Sequence, residues 1–158
     1  MRSAGDADAA LLASLHAEAF RRPWSQSAFE VFLSDPTVFC LVIEEAGFIL
    51  WRTLAGEAEI LTLAVSPDAR RRGIARALLA GAVERSAQAP AEWIFLEVSD
   101  QNSAGLALYR QAGFQVSGLR KGYYESEAKP ENALVMRLSL TASSAPTIID
   151  PEDIPPRS

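Results

Sequence analysis

Apolar and polar positions follow two rhythms along this chain, and each change of rhythm marks an element. DADAALLASLHAEAF sets Leu11, Leu12, Leu15, Ala19 and Phe20 on one face of a helix, with Asp6 or Asp8 available as its N-cap. RRPWSQSAFEVFLSD predicts a second, shorter helix, with Ser25 as N-cap and Phe29, Phe32 and Leu33 as its apolar stripe. The rhythm then shortens. VFCLVIEE reads as a strand, Ala46-Gly47 as a turn and FILWRTLA as the hairpin partner. EAEILTLAV is a longer strand, broken by Ser66-Pro67-Asp68. Helical spacing returns from Gly73 to about Ala89 and stops at Pro90. WIFLEV is a strand, NSAGLALYRQAGF a helix closed by Gly113 as its C′ residue, and FQVSGLRKGYY and NALVMRLSL are two last strands. MRSAGDADAA, in front of all this, has no strand pattern.

The strand–helix–strand units of the second half imply some parallel pairing and the hairpins antiparallel pairing, so the expected class is α/β with a mixed sheet. A chain of 158 residues suits one well-buried domain, placed here at residues 1–140. Residues 141–158, TASSAPTIIDPEDIPPRS, carry four prolines and no periodicity. They read as a flexible tail, with a short docking peptide as the other reading.

Composition removes several function classes. A net charge of −5 argues against nucleic-acid binding and suits an amine-bearing substrate. No apolar run approaches the ~20 residues that cross a bilayer, and the N-terminus lacks the apolar run of a secretory signal. The single cysteine, Cys40, excludes an internal disulfide and points to a reducing, cytoplasmic setting, with Cys40 itself as a core residue. One His and one Cys make no zinc set and no nucleophilic Cys–His pair, so no metal is expected, and His16 is set aside as a catalytic candidate. A monomer or weak dimer is the expected state.

Against the acidic total, SPDARRRGIARALL gathers Arg70, Arg71 and Arg72 before Gly73 and a helix. The first N–H groups of a helix and its dipole favour an anion, and Gly73 lets a ligand approach the backbone closely. Neither the P-loop string nor G-x-G-x-x-G occurs here. Locally, a solvated basic turn and a polyanion seat both remain open.

LAVSPDARRRGIARALL resembles the acetyl-coenzyme A signature of the GNAT acetyltransferases, Arg/Gln-x-x-Gly-x-Gly/Ala, which falls on Arg70, Gly73 and Ala75. FLEVSDQNSAGLALYRQAGF is similar to that family's second coenzyme-binding block. Within the family, RPWSQSAF and RKGYYESEAKPENALVMRL also resemble the RimI group of ribosomal-protein-alanine N-acetyltransferases. The resemblance implies a single-domain GNAT fold, with a mixed, mostly antiparallel central sheet and helices on both faces. It implies acetyl-coenzyme A as co-substrate. Its contacts would fall on Leu63, Ala64 and Val65, on Arg70, Arg71, Arg72, Gly73, Ile74, Ala75 and Arg76, and on Asn102, Ala104 and Tyr109. The acceptor it implies is a protein N-terminal segment, alanine of a small-subunit ribosomal protein in the first place. A small-molecule amine and a non-catalytic acyl-coenzyme A module are the rival readings.

The chemistry needs a base for the amine and a proton for the departing thiolate. Glu97, near the end of an otherwise apolar strand, is the candidate base, since a lone buried carboxylate is costly unless paired or functional. An ion pair with a nearby arginine is the other reading of Glu97. Tyr109 reads locally as a core tyrosine, and the resemblance makes it the general acid. Asn102 can cap its helix as well as touch the coenzyme. The resemblance also implies a parting of EAEILTLAV from WIFLEV, with the backbone N–H near Val65 as oxyanion donor. Trp24, Tyr123 and Tyr124 are candidates to line the acceptor groove, although paired aromatics by a turn are often only packing.

Overall fold

A computed structural model describes residues 1–124 and 131–141, and for residues 122–124 the backbone alone. Its strands are β1 (Arg2–Ser3), β2 (Val38–Ile43), β3 (Gly47–Leu54), β4 (Glu57–Val65), β5 (Trp93–Ser99), β6 (Gln115–Tyr124) and β7 (Glu131–Ser139). Its helices are α1 (Ala9–Ala19), α2 (Gln26–Ser34), α3 (Ile74–Gln88) and α4 (Ser103–Gln111). The strands form one sheet in the order β1-β2-β3-β4-β5-β7-β6. Only β4 and β5 pair in parallel; every other neighbouring pair is antiparallel. The α/β mixed, mostly antiparallel sheet is as expected, although β6 does not join β5 after its helix, because β7 lies between them. Among the described residues no helix is long and apolar enough to cross a membrane. The tail assigned to residues 141–158 lies outside the described residues beyond Thr141.

Strand alternation sorts the apolar residues into two layers. Leu41, Ile49, Trp51, Ile94 and Leu96 pack with Leu78, Leu79 and Ala82 of α3 and with Tyr109 of α4. Cys40, Val42, Phe48 and Leu50 point the other way, onto Leu12 and Leu15 of α1 and Phe29 of α2. β2 and β3 are therefore covered on both faces, which explains why VFCLVI and FILW are continuous apolar runs. Cys40 is buried, and burial pushes its thiol up to about 12, so it behaves as core. Gly113 closes α4 at φ 96°, with the Phe114 N–H donating to the Tyr109 carbonyl at 3.0 Å.

Three local expectations need correction. The N-terminus does form a strand, the two-residue β1, which pairs with Leu41 and Val42 of β2. Asp8 occupies the N-cap position of α1 without capping it. Its carboxylate instead accepts from Arg2 at 2.8 and 3.0 Å and from the Gly5 N–H at 2.8 Å, and the Arg2 bond holds it down to about 2. Gly47 is not in the β2–β3 turn but inside β3, opposite Val65. A Cβ there would run into the backbone carbonyl of Ala64, so the absence of a side chain lets β4 approach.

β4 holds the irregularity that shapes the site. Leu50 pairs with Thr62 and Trp51 with Ile60, which leaves Leu61 as a bulge with no residue opposite. An inserted residue exchanges the two faces of a strand. Ala58 and Ile60 belong to the layer under α3, whereas beyond the bulge Leu63 takes that side and Ala64 joins the layer under α1. Pairing with β5 ends at Glu59–Phe95. From there to Val65, β4 has β3 on one side and no described strand on the other.

Gly47→Ala is expected to push the end of β4 away from β3 and to cost at least ~2 kcal/mol, a fall of roughly 5 °C in melting temperature. Thermal unfolding followed by circular dichroism checks it, with Gly5→Ala, where a Cβ meets nothing within 4 Å, as the matched control.

Candidate active site

The parted end of β4 leads directly into the basic turn. After Val65 the chain makes a short 3-10 turn at Pro67–Ala69, with Ala69 buried as its anchor. Arg71 and Gly73 then both take left-handed backbone, at φ 64° and 73°, a conformation uncommon for a non-glycine residue. Turns that mix hands in this way gather backbone N–H groups into an anion-binding concavity. α3 starts at Ile74 with Gly73 as N-cap and no side-chain cap, so its first-turn N–H groups are satisfied by no capping side chain. A Cβ at Gly73 would meet nothing within 4 Å; this glycine is required by its φ and leaves the space above it clear. Arg70, Arg71, Arg72 and Arg76 are exposed around it, while Ile74 and Ala75 are half-buried. A cavity of about 310 Å³ between α3 and α4 continues from Arg76 past Ala80 and Val83 to Leu108 and Gln111.

The second predicted block sits beside the opening. Asn102 is the N-cap of α4, its Oδ1 accepting from the Gly105 N–H at 2.9 Å. A Cβ at residue 105 would press on the Asn102 amide and disturb that cap. Ala104 is exposed on the first turn of the same helix. Tyr109 is buried against the edge of Phe114, ring centroids 5.8 Å apart, in the layer that holds Leu96 and Val98. Glu97 alternates with those two residues and so faces the other side of the sheet. Its carboxylate, about a fifth exposed, accepts from Arg120 Nη1 of β6 at 3.1 Å. The arginine pairing foreseen as one reading of Glu97 is present, and it leaves the carboxylate reachable.

Two residues escaped sequence reasoning. Glu59 forms the last β4–β5 pair, with Phe95, and shares Glu97's face. Burial holds its carboxyl above the ordinary range; the Glu97 charge adds to this, and Arg52 and Arg120 oppose it. The alternation of EAEIL was the available signal, since Glu59 falls inside a paired stretch. The second is His16. It lies buried on α1, its Nδ1 accepts the Trp24 N–H at 3.0 Å, and its Nε2 is 3.2 Å from Thr62 Oγ1. Burial lowers it to about 4. Sequence reasoning set His16 aside as a catalytic candidate, and the helical period gave no hint of those two partners.

Of the acceptor candidates, Trp24 is half-buried in the α1–α2 loop, ring centroids 4.9 Å from His16 and 5.3 Å from Phe32. Tyr123 and Tyr124 end β6, and their side chains lie outside the described residues. Leu63 and Val65 are half-buried and Ala64 buried along the opening.

The profile of the acetyltransferase (GNAT) family matches residues 9–114. In Escherichia coli K12, the protein named [ribosomal protein bS18]-alanine N-acetyltransferase is 30% identical over 122 residues, covering 75% of this chain and 82% of that one. The crystal structure of the ribosomal-protein-S18-alanine N-acetyltransferase from Escherichia coli superposes with a TM-score of 0.81 at 26% identity, over 94% of this chain and 97% of that one. The N-alpha-acetyltransferase RimI of Mycobacterium tuberculosis is 37% identical over 128 residues, covering 75% of this chain and 79% of its own length. Arabidopsis thaliana NAA60 in complex with acetyl-CoA shares the fold, with a TM-score of 0.76 at 18% identity, over 87% of this chain and 96% of that one.

His16 yields a pH test. Its folded pKa, about 4, lies below its ordinary 6.5, so the unfolded chain binds the proton more readily. The stabilisation is whole above pH 6.5 and is lost as pH falls toward 4, on the order of 3 kcal/mol in all. Urea unfolding across that range should show wild type losing its advantage over His16→Gln. Parallel profiles would show that His16 does not titrate on unfolding.

Proposed function

The chain belongs to the GNAT acetyltransferase family, and from that premise we propose that it transfers the acetyl group of acetyl-coenzyme A to the α-amino group of a protein N-terminus. Likeness to proteins named for alanine N-acetylation favours alanine of a small-subunit ribosomal protein as the acceptor. The catalytic domain is residues 1–140, with residues 141–158 as a tail outside it. The observation that supports this reading most is the parting of β4 from β5, with an anion-binding turn at one end and Glu97 and Tyr109 on opposite faces of the sheet.

Each part then has a physical task. The N–H groups around Gly73, Ile74 and Ala75 receive the coenzyme's pyrophosphate, and Arg70, Arg71, Arg72 and Arg76 supply attraction and charge-assisted bonds. The backbone groups of Leu63 and Val65 that point away from β3, with Ala64 between them, are offered to the pantetheine amides, as an exposed strand edge offers them to a peptide. Asn102 and Ala104 flank that arm. The acceptor enters from the Glu97 face, past Trp24, Tyr123 and Tyr124.

An α-amino group titrates near 7.7–8.0, so a carboxylate of modest strength, acting directly or through one water, suffices to remove its proton. The amine nitrogen bonds to the thioester carbon, and the oxyanion that forms accepts from the main-chain N–H near Val65. The carbon–sulfur bond then breaks, and Tyr109 gives its phenolic proton to the thiolate. The base stands where the amine arrives and the acid where the thiol leaves. Arg120 orients the base through the ion pair.

Incubation of the full chain with labelled acetyl-coenzyme A and a panel of N-terminal peptides and small amines tests the reading. Label should enter the α-amino group of Ala-initiated peptides, and preferential labelling of small amines would overturn it. Glu97→Gln is expected to lower kcat/KM for such a peptide by about 10² or more, most at low pH, with acetyl-coenzyme A affinity within about twofold. Unchanged turnover would remove the base assignment.

A further inference from the structure

We infer that His16 is a positioning residue that ties the acceptor loop to the unpaired segment of β4; this rests on the acceptor reading of Trp24. The imidazole joins three separate stretches of chain. Because the Trp24 N–H donates to Nδ1 at 3.0 Å, the ring proton sits on Nε2, which donates to Thr62 Oγ1 at 3.2 Å. Thr62 directly follows the bulge residue Leu61, on the stretch of β4 that has left β5. The ring stacks on Phe20 and Trp24, centroids 4.2 and 4.9 Å away, with Phe29 set edgewise at a centroid distance of 5.6 Å. Two residues further along α1, the Glu18 carboxylate accepts from Ser66 Oγ at 2.7 Å, just past the end of β4. The last turns of α1 therefore grip the parted strand near both of its ends.

Packing alone does not call for an imidazole at this place. A leucine or phenylalanine would fill an aromatic cluster without the cost of burying a ring that carries two polar nitrogens. Imidazole adds one thing that no apolar residue can. In a single tautomer it accepts the backbone N–H of the loop and donates to the strand at the same time. The position of Trp24 and that of β4 beyond its bulge are thereby set against each other through one rigid ring. A loop so held presents its acceptor-facing side at a fixed distance from the backbone at residues 63–65.

The two bonds can be separated, because an asparagine amide reaches the place of Nδ1 and a glutamine amide that of Nε2. In the full chain, His16→Gln should raise KM for an Ala-initiated peptide about tenfold or more, with kcat and acetyl-coenzyme A affinity within about twofold. It should also speed hydrogen exchange of the Trp24 amide about tenfold or more. His16→Asn keeps the Trp24 bond and loses the Thr62 bond, so that amide should stay protected while peptide KM still rises about threefold or more. Should the His16 variants fail to fold, Thr62→Val breaks the strand bond alone: peptide KM should rise, while the Trp24 amide, still accepted by Nδ1, should stay protected. Peptide KM left unchanged by these variants, equal Trp24 amide exchange in the Gln and Asn variants, or KM, kcat and coenzyme affinity worsening together with melting temperature, overturns the positioning role. If no N-terminal peptide is acetylated, the acceptor reading fails, and Trp24 amide exchange alone still decides whether His16 holds the loop.

Discussion

A strand inside a sheet must find partners for two rows of N–H and C=O groups, and β4 finds them on the β5 side only from Glu57 to Glu59. Beyond that point it stays attached to β3, and β5 keeps only β7, with which it pairs from Trp93 to Ser99. The bulge at Leu61 lets this happen without a break in the core: one inserted residue bends the strand and exchanges its faces, so Leu63 and Ala64 still bury into the two layers. What is left is a short length of sheet edge that faces no described strand, a stretch of backbone suited to an extended ligand with amide groups of its own.

The rest of the molecule is arranged around that opening. On the side of α3 and α4, the left-handed turn at Arg71 and Gly73 and the uncapped start of α3 gather positive potential in a chain whose net charge is −5. On the other face stand Glu97 and Glu59 with Arg120 and Arg52 near them. The sheet thus separates the basic turn from a carboxylate-bearing side, with the gap between β4 and β5 lying between them. A two-substrate acyl transfer needs that division, because the thioester and the amine must arrive from different directions and meet in one place.

Chemistry held within a few residues was legible in the sequence. Ser25 caps α2 and Asn102 caps α4 through bonds to N–H groups three residues on, and Gly73 and Gly113 are the left-handed residues their places in the pattern required. Contacts decided by register or by distant partners were not. The bulge exists only in the pairing of β4 with β3, and Gly47 is explained by the Ala64 carbonyl on another strand. Asp8 resembled a helix cap until Arg2, brought round by β1, took its carboxylate. His16 gave no such signal, because Trp24 and Thr62 meet it only after α1, its loop and β4 have packed. Glu97 could be placed on its strand, but its partner Arg120 comes from a strand two places away in the sheet.

The direct test of the parted strand as coenzyme seat is amide hydrogen exchange along β4, with and without acetyl-coenzyme A. In the free protein, amides at residues 57–59 should exchange slowly, while those among residues 61–65 that point away from β3 should exchange fast. Acetyl-coenzyme A should slow that second set together with the amides of Gly73, Ile74 and Ala75. Protection that appears elsewhere, with residues 61–65 unchanged at saturating acetyl-coenzyme A, would contradict it.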